Sequence, residues 1–226
     1  MHLYHNIHQG IFIDRPNRFI AFVKLGGQVE KCHVKNTGRC KELLVPGVTV
    51  YVNKSDKPDR VTAFDLVAVY KGEELVNIDS SAPNKIFLEY LQSGKYLAGI
   101  THIKPEAKHG SSRFDFYVEV GERKIFIEVK GVTLEEDGVA MFPDAPTQRG
   151  VKHLRELALL AKQGYEAHVV FVITMSGVTH FTPNHRTHPE FAHALAEATK
   201  AGVRVQAYSC NVRPDRVSVV ESVQVK

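Results

Sequence analysis

Cysteine is scarce in this chain, and long apolar runs are missing. Among 226 residues there are three cysteines, Cys32, Cys40 and Cys210, which are too few and too scattered for a disulfide framework or a zinc site. No run approaches the ~20 apolar residues that a membrane helix needs. The first residues, MHLYHNIHQG, lack the basic and apolar regions of a secretory signal. These absences predict a cytoplasmic protein with reduced thiols and no membrane partner.

Two further kinds of motif are missing. The chain has no glycine loop of the GxGxxG or GxxxxGK[ST] type and no GxSxG serine elbow. Nucleotide binding through a glycine loop, and serine-hydrolase chemistry of that type, are therefore not predicted. The net charge of +4 is mildly basic. Such a balance permits phosphate contacts with nucleic acid but does not require them.

Short β-type segments fill the N-terminal part of the chain, between residues 11 and 79. Five or six such segments, with one short helical turn among them, predict an OB-like β-barrel that we assign to residues 1–82. OB folds bind nucleic acid along a basic groove. The candidate DNA-binding residues in this part are Asn36, Arg39 and Lys41. The alternative is that they are ordinary surface groups that protect strand edges.

Helices and strands alternate in the remainder of the chain, residues 83–226. Asn84 is predicted to cap a helix that Gly94 stops, and Thr147 is predicted to cap a second helix over 148–163 that Gly164 closes. The apolar run 166–175 is typical of a strand buried on both faces, whereas segments 134–146 and 179–188 are predicted as loops. This order predicts an α/β domain with a mixed sheet.

Basic residues follow the start of the second helix. Arg149, Lys152 and His153 lie in or just after its first turn. Because a helix N-terminus attracts anions, these residues are further candidates for contact with a DNA backbone. The alternative is that each of them is simply solvated.

A hairpin is predicted at 113–131, RFDFYVEVGERKIFIEVKG, because apolar and polar residues alternate on both sides of Gly121 and Glu122. If Val120 and Arg123 flank a two-residue turn, Asp115 lies opposite Glu128. If the turn closes one residue later on each side, Asp115 lies opposite Lys130. Opposed residues in an antiparallel pair share a face of the sheet. Both registers therefore bring Asp115, Glu128 and Lys130 together.

Two carboxylates and an amine on an apolar hairpin predict a metal-dependent catalytic site. Asp115 and Glu128 are oxygen ligands of the kind that Mg²⁺ or Mn²⁺ prefers. Lys130 would orient a water molecule or stabilise a transition state. The alternative is a solvated face with an exposed ion pair of little energetic value. On the metal interpretation we expect Glu128→Ala to abolish metal binding with little loss of stability.

The acid followed by Glu-x-Lys resembles the PD-(D/E)xK nuclease superfamily, and longer segments resemble one family in particular. NTGRCKELLVPG at 36–47, SSRFDFYVE at 111–119, FIEVKGVTL at 126–134 and the stretch 142–173 are similar to the sugar fermentation stimulation protein A (SfsA) family. The resemblance covers nearly the whole chain. It implies an OB-like domain joined to a nuclease-like domain, and DNA binding. The family is better described as DNA-binding than as a proven nuclease.

The superfamily resemblance also implies a third metal ligand. Such proteins often add an acid from a helix that precedes the hairpin, and Glu89 stands in that position. The alternative is an exposed helical glutamate.

Three functions remain open at this point. The leading hypothesis is a DNA-binding protein with a Mg²⁺-capable nuclease-like site formed by Asp115, Glu128 and Lys130. The second is a non-catalytic regulator of sugar metabolism genes that has a vestigial nuclease fold. The third is a hydrolase of small phosphodiesters that uses the same residues. No oligomeric state is predicted.

Overall fold

The computed structural model describes residues 2–36, 38–57, 59–110 and 112–226. Within these ranges the chain forms two β-sheets and three α-helices. The first sheet belongs to the N-terminal part and the second to the C-terminal part. None of the helices in the described ranges is long and apolar enough to cross a membrane.

The N-terminal sheet closes into a barrel of five strands. Its strands are β1 (Ile7–Asn17), β2 (Ile20–Leu25), β3 (Gln28–Val34), β4 (Thr49–Lys54), β5 (Phe64–Lys71) and β6 (Glu74–Asn77). They lie in the order β3-β2-β1-β4-β5-β6, and parallel pairing of β3 with β5 closes the ring. Strand β6 extends the sheet beyond the barrel by pairing with β5. The predicted OB-like barrel is confirmed.

The C-terminal part is a nine-stranded mixed sheet with helices on both faces. Its elements are α1 (Ala82–Gln92), β7 (His102–His109), β8 (Ser112–Val120), β9 (Arg123–Val132), β10 (Leu134–Glu136), β11 (Val139–Phe142), α2 (Gln148–Lys162), β12 (Glu166–Ile173), β13 (His180–Pro183), α3 (Pro189–Lys200), β14 (Arg204–Arg213) and β15 (Arg216–Val225). The strand order is β10-β11-β13-β15-β14-β12-β9-β8-β7. Strand β12 runs parallel to both of its neighbours, β9 and β14, whereas β7, β8 and β9 form an antiparallel meander. The predicted α/β domain with a mixed sheet is confirmed.

Apolar stripes decide which face each helix covers. Helix α1 packs Ile86, Phe87 and Leu91 against one face of the sheet. Helices α2 and α3 pack against the other face, and α2 uses Val151, Leu154, Leu157 and Leu160 for this contact. The cap of α2 is formed as predicted, because Thr147 Oγ1 accepts a hydrogen bond of 3.1 Å from Gly150 N.

Three local predictions were wrong. Helix α1 begins at Ala82 with Pro83 in its first turn, so Asn84 lies inside the helix and is not its cap. Segment 134–146 contains the hairpin β10–β11, and segment 179–188 contains β13, which pairs in parallel with β11. These strands have only three or four residues each, so they are too short for alternation to indicate them.

The barrel and the α/β domain are joined through β6. Asn77 N donates to Thr174 O at 3.0 Å, and Thr174 Oγ1 donates to Asn77 O at 2.7 Å. Buried apolar residues from both parts belong to one continuous cluster. Residues before β1 also contact the C-terminal domain, because Leu3 N donates to Asp215 O at 2.9 Å.

All three cysteines are free and buried. Cys32 and Cys40 lie in the barrel, and Cys210 lies in β14. Burial raises the pKa of each thiol to about 12.

Candidate functional site

The hairpin β8–β9 has the first of the two predicted registers. Val120 pairs with Arg123 around Gly121 and Glu122, and the ladder continues to Phe116 opposite Ile127. Beyond that pair the strands separate, and the side chain of Asp115 fills the gap. Its Oδ2 accepts a hydrogen bond of 2.8 Å from Val129 N. A side chain therefore satisfies a backbone donor where the sheet ladder stops.

The strand β8 is distorted at the same point, which the alternating pattern did not predict. Phe116 packs against Phe87 of α1, whereas Phe114 packs against His153 of α2. Residues two apart in a regular strand share a face, so β8 must twist between them. Opposite this point in β7, Glu106 has a φ of +52°. Asp115 lies between the two phenylalanines, at the distorted point of β8.

Glu128 is a buried carboxylate held on one oxygen only. Lys130 Nζ donates to Glu128 Oε1 at 2.5 Å, and His153 Nδ1 contacts the same oxygen. Glu128 Oε2 is buried and has no hydrogen-bond partner among the described residues. Burial by itself would raise the pKa of Glu128, but the hydrogen bond from His153 and the charge of Lys130 outweigh it and lower that pKa. The carboxylate is therefore kept ionised with one oxygen still available.

His153 was predicted to contact DNA, and its burial contradicts this prediction. Only 6% of His153 is exposed, and its ring is held between Glu128 and Phe114. The helical spacing accounts for this, because position 153 follows Gly150 on the buried side of α2. His153 belongs to the carboxylate site.

Asp115 accepts a hydrogen bond from α1, which packs on the face of the sheet opposite to α2. Asn84 Nδ2, on α1, donates to Asp115 Oδ1 at 2.7 Å. Burial, followed by the charge of Glu128, raises the pKa of Asp115. The bond from Val129 N also places Asp115 beside the part of β9 that carries Glu128 and Lys130. The predicted meeting of Asp115, Glu128 and Lys130 is thus observed, at the splayed end of the hairpin rather than on one flat face.

The contact from α1 involves a residue that the sequence analysis assigned differently. Asn84 was interpreted as a helix cap, whereas Glu89 was predicted to be the third metal ligand. Glu89 lies five residues later, which is about 140° around the helix and about 7.5 Å along it. It is half-buried on a different side of α1 from Asn84. The place of Pro83 in the first turn was the signal that Asn84 lies inside the helix rather than at its cap.

The donor set fits an oxygen-ligated divalent cation only in part. Within the described ranges no group of three or more His, Cys, Asp or Glu residues could enclose a metal ion. The two carboxylates and the unpartnered Glu128 Oε2 suit a cation such as Mg²⁺, which is typically bound by one or two carboxylates and retains several waters.

On the barrel side, Arg15 fixes the loops that carry the predicted DNA-binding residues. Its guanidinium donates to three backbone carbonyls, those of Arg18 and Arg39 at 2.8 Å and that of Asn36 at 2.7 Å. Asn36 is also occupied structurally, because its Nδ2 donates to Ile78 O at 3.0 Å and its Oδ1 accepts from Gly38 N at 2.7 Å. The Asn36 side chain therefore holds the loop, and its contact with DNA stays a prediction.

A basic groove of about 580 Å³ runs over this part of the barrel. Four basic residues line it, together with one acid: Arg15, Arg18, Arg39, Lys41 and Asp14. It adjoins a cleft of about 440 Å³ between the barrel and the α/β domain, and Arg18, Gly38 and Ala145 line both. Arg39 and Lys41 are exposed.

The cleft leads towards the carboxylates and the start of α2. Its lining includes Pro83 and Gly131, which directly neighbour Asn84 and Lys130 in the chain, and Thr147, which caps α2. Arg149 and Lys152 are exposed in the first turns of that helix, and Lys152 also lies 3.7 Å from Glu156. The basic groove and the interdomain cleft are thus continuous, and the cleft reaches the chain neighbours of Asn84 and Lys130.

This fold and site define a class of two-domain proteins in which an OB barrel is joined to an α/β domain with an acidic hairpin. The N-terminal OB domain model of the SfsA family matches residues 13–78, and the sugar fermentation stimulation protein RE domain model matches residues 81–216. The chain belongs to the sugar fermentation stimulation protein family.

Relatives cover the chain almost end to end. The sugar fermentation stimulation protein homolog of Desulfitobacterium hafniense strain Y51 is 56% identical over 223 residues, which are 99% of this chain and 97% of that protein. The homolog of Ruminiclostridium cellulolyticum is 54% identical over 223 residues, 99% of each chain. The structure of Pyrococcus furiosus SfsA in complex with Ca²⁺ matches with a TM-score of 0.91 and 30% identity, over 100% of this chain and 98% of that one.

Proposed function

We propose that the protein binds DNA along the basic groove and holds a divalent cation, Mg²⁺ or Mn²⁺, at Asp115 and Glu128, where it cleaves phosphodiester bonds. The observation that carries this proposal is the buried, ionised Glu128 with an unpartnered Oε2. Leaving a buried carboxylate oxygen without a donor is costly, so a cation beside it is the simplest way to satisfy it.

The related structure supports the choice of ion. The Pyrococcus furiosus SfsA that shares this fold was solved with Ca²⁺. Calcium takes oxygen ligands, as magnesium and manganese do. A cation at this site would supply charge stabilisation for a phosphoryl group and a more acidic bound water.

The surrounding side chains have roles of their own in this proposal. Asn84 holds Asp115 in place, and His153 holds Glu128, so both carboxylates are oriented before any ligand arrives. Lys130, with 14% of its side chain exposed, is positioned to contact a scissile phosphate or orient a water. Glu89 remains a proposed additional ligand.

DNA binding is supported by the path that leads to the site. Arg39 and Lys41 in the groove and Arg149 at the N-terminus of α2 are exposed cations that can contact successive phosphates. The N-terminus of α2, with the positive end of its helix dipole, adds a preference for anions.

The decisive experiment is incubation of the purified protein with end-labelled single- and double-stranded DNA in Mg²⁺, in Mn²⁺ and in EDTA. Lys130→Ala and Lys130→Met are compared with the exposed control Lys95→Ala, which lies just beyond α1. We expect cleavage that requires the metal, is retained in Lys95→Ala and is lost in both Lys130 variants. Metal-independent cleavage that persists in the Lys130 variants would contradict the assigned site.

A second candidate function is metal-free DNA binding without catalysis. It is favoured by the two side chains that already contact Glu128 Oε1, since the charge of Lys130 compensates that of Glu128 and His153 occupies the same oxygen. In the same experiment it predicts retarded but intact DNA, with equal retardation in EDTA and in Mg²⁺.

A further inference from the structure

Phe19 is a large exposed apolar side chain beside Arg18, which lines the basic groove. It lies in the turn between β1 and β2, and 51% of it is accessible to solvent. The guanidinium carbon of Arg18 lies 5.6 Å from the centre of its ring. This distance is within the range of a cation–π contact. The two side chains therefore place an aromatic ring and a positive charge side by side.

The backbone that carries Phe19 is held on several sides. Asn17 Oδ1 accepts hydrogen bonds from Phe19 N at 2.9 Å and from Ile20 N at 3.1 Å. Phe19 O accepts from Val34 N at 2.8 Å, and Arg18 O accepts from Arg15 at 2.8 Å. A turn fixed in this way loses little conformational entropy when a ligand binds, so the ring is preorganised for stacking.

The position of the pair suits a DNA strand in the groove. Arg18 lines both the groove and the interdomain cleft. A strand that passes from Arg39 and Lys41 towards the carboxylates must therefore pass Arg18, with Phe19 next to it. Stacking on an aromatic ring requires an open face of the base, which an unpaired base offers and a base inside a duplex does not.

We propose that Phe19 and Arg18 form a stacking site for an unpaired nucleobase of a DNA strand, so that the protein prefers single-stranded segments to intact duplex. This inference rests on the proposed DNA binding and adds its strand preference. Phe19 supplies the ring, and Arg18 supplies a contact to the adjoining phosphate.

The chain contains no tryptophan, which allows a direct optical test. Phe19→Trp places a single fluorophore at the stacking position, and Val220→Trp places one at an exposed control position on β15, where Val220 is 62% accessible. We expect a single-stranded oligonucleotide to quench the fluorescence of Phe19→Trp strongly and that of Val220→Trp little. A duplex of the same sequence should quench neither.

Binding measurements complete the test. Phe19→Ala should weaken the affinity for single-stranded DNA by about tenfold and leave duplex affinity unchanged, while Phe19→Tyr should bind like the original protein. If the original protein binds DNA but Phe19→Ala keeps its affinity, or duplex quenches Phe19→Trp as well as a single strand does, the stacking site is refuted while DNA binding stands. If the original protein binds no DNA, the proposed function fails and this inference fails with it.

Discussion

At the scale of single residues, Glu128 and the two side chains that contact it form one cluster. The carboxylate contacts Lys130 and His153, whose side chains are only 14% and 7% exposed. A buried ionic group is tolerated when its partners are present and becomes costly when one is removed. Glu128 therefore contributes to stability as well as to any ligand chemistry.

Glu128→Ala should lower the free energy of unfolding by about 3 kcal/mol, because it leaves the half-buried Lys130 and the buried His153 without their acceptor. This replaces the expectation of a small loss, which considered only repulsion between Glu128 and Asp115. Urea denaturation of Glu128→Ala and of the exposed control Glu221→Ala measures the difference. Equal unfolding free energies for the two variants would show that the cluster does not support the fold.

The environment of Asp65, in the barrel, predicts that the stability of the protein depends on pH. The side chain is 4% exposed and accepts from Arg60 Nη2 at 2.5 Å and from Lys35 Nζ at 3.0 Å. Burial opposes ionisation, but the hydrogen bonds from Arg60 and Lys35 outweigh it and lower the pKa of Asp65 from 3.8 to about 2. The folded state thus binds this proton less tightly than the unfolded state, so the stabilisation is present above pH ~4 and is lost as pH falls towards 2.

The stability advantage of the original protein over Asp65→Asn should shrink by about 2 kcal/mol between pH 5 and pH 2. Urea midpoints of both proteins, measured across this range, give the difference directly. A stability difference that stays constant across this pH range would mean that the folded state does not favour the ionised form of Asp65.

At the scale of the element, the close contact between α1 and β9 positions the carboxylates. A Cβ added at Gly131 would lie 2.6 Å from Pro83 Cγ, so glycine is what allows the first turn of α1 to approach β9. That approach brings Asn84 within hydrogen-bonding distance of Asp115. The geometry of the site therefore depends on the packing of an adjoining helix.

Gly131→Ala should destabilise the protein by about 1–3 kcal/mol through this overlap and should weaken Mn²⁺ binding by moving Asn84 away. Adding Pro83→Ala removes the ring that causes the overlap, so the double variant should lose less stability than the sum of the two single changes. Unfolding by urea and Mn²⁺ titration calorimetry on the four proteins test this. Strict additivity would show that the two residues are not in repulsive contact.

Strong local signals determined which elements were predicted correctly. Helix α2 has an apolar stripe, a capping threonine and a closing glycine, and the two-residue turn at Gly121 set the hairpin register. The exceptions depend on tertiary contacts. From the sequence, His153 is predicted to be a surface histidine, but in the structure it contacts Glu128 of β9. Asn36 is likewise predicted to be a polar loop residue, but its side chain donates to the carbonyl of Ile78. No local pattern encodes partners that lie 25 and 42 positions away in the chain.

At the scale of the whole molecule, the proposed DNA path crosses both domains. The groove lies on the barrel, the carboxylates lie on the α/β sheet, and the cleft between them is lined from both sides. The Asn77–Thr174 hydrogen bonds hold the two parts in this relation. A bound strand would therefore contact cations from two domains at once.

DNA affinity should fall steeply with salt, because each phosphate contact releases counterions. Removing one contact in Arg39→Ala or Lys41→Ala should reduce the slope of log affinity against log salt by about one. Lys95→Ala, beyond the far end of α1, should leave the slope unchanged. Fluorescence anisotropy with a labelled oligonucleotide at several salt concentrations provides the slopes, and a flat dependence would argue against backbone contacts.

The reactivity of the three buried cysteines can report local opening of the protein. Cys32 and Cys40 sit in the barrel and Cys210 sits in the α/β sheet, each with a thiol that is protonated and shielded at neutral pH. An alkylating reagent can reach each sulfur only while its surroundings are open. Because the two domains share hydrogen bonds and one apolar cluster, all three thiols should be labelled at similar rates; faster labelling of Cys32 and Cys40 would show that the barrel opens by itself.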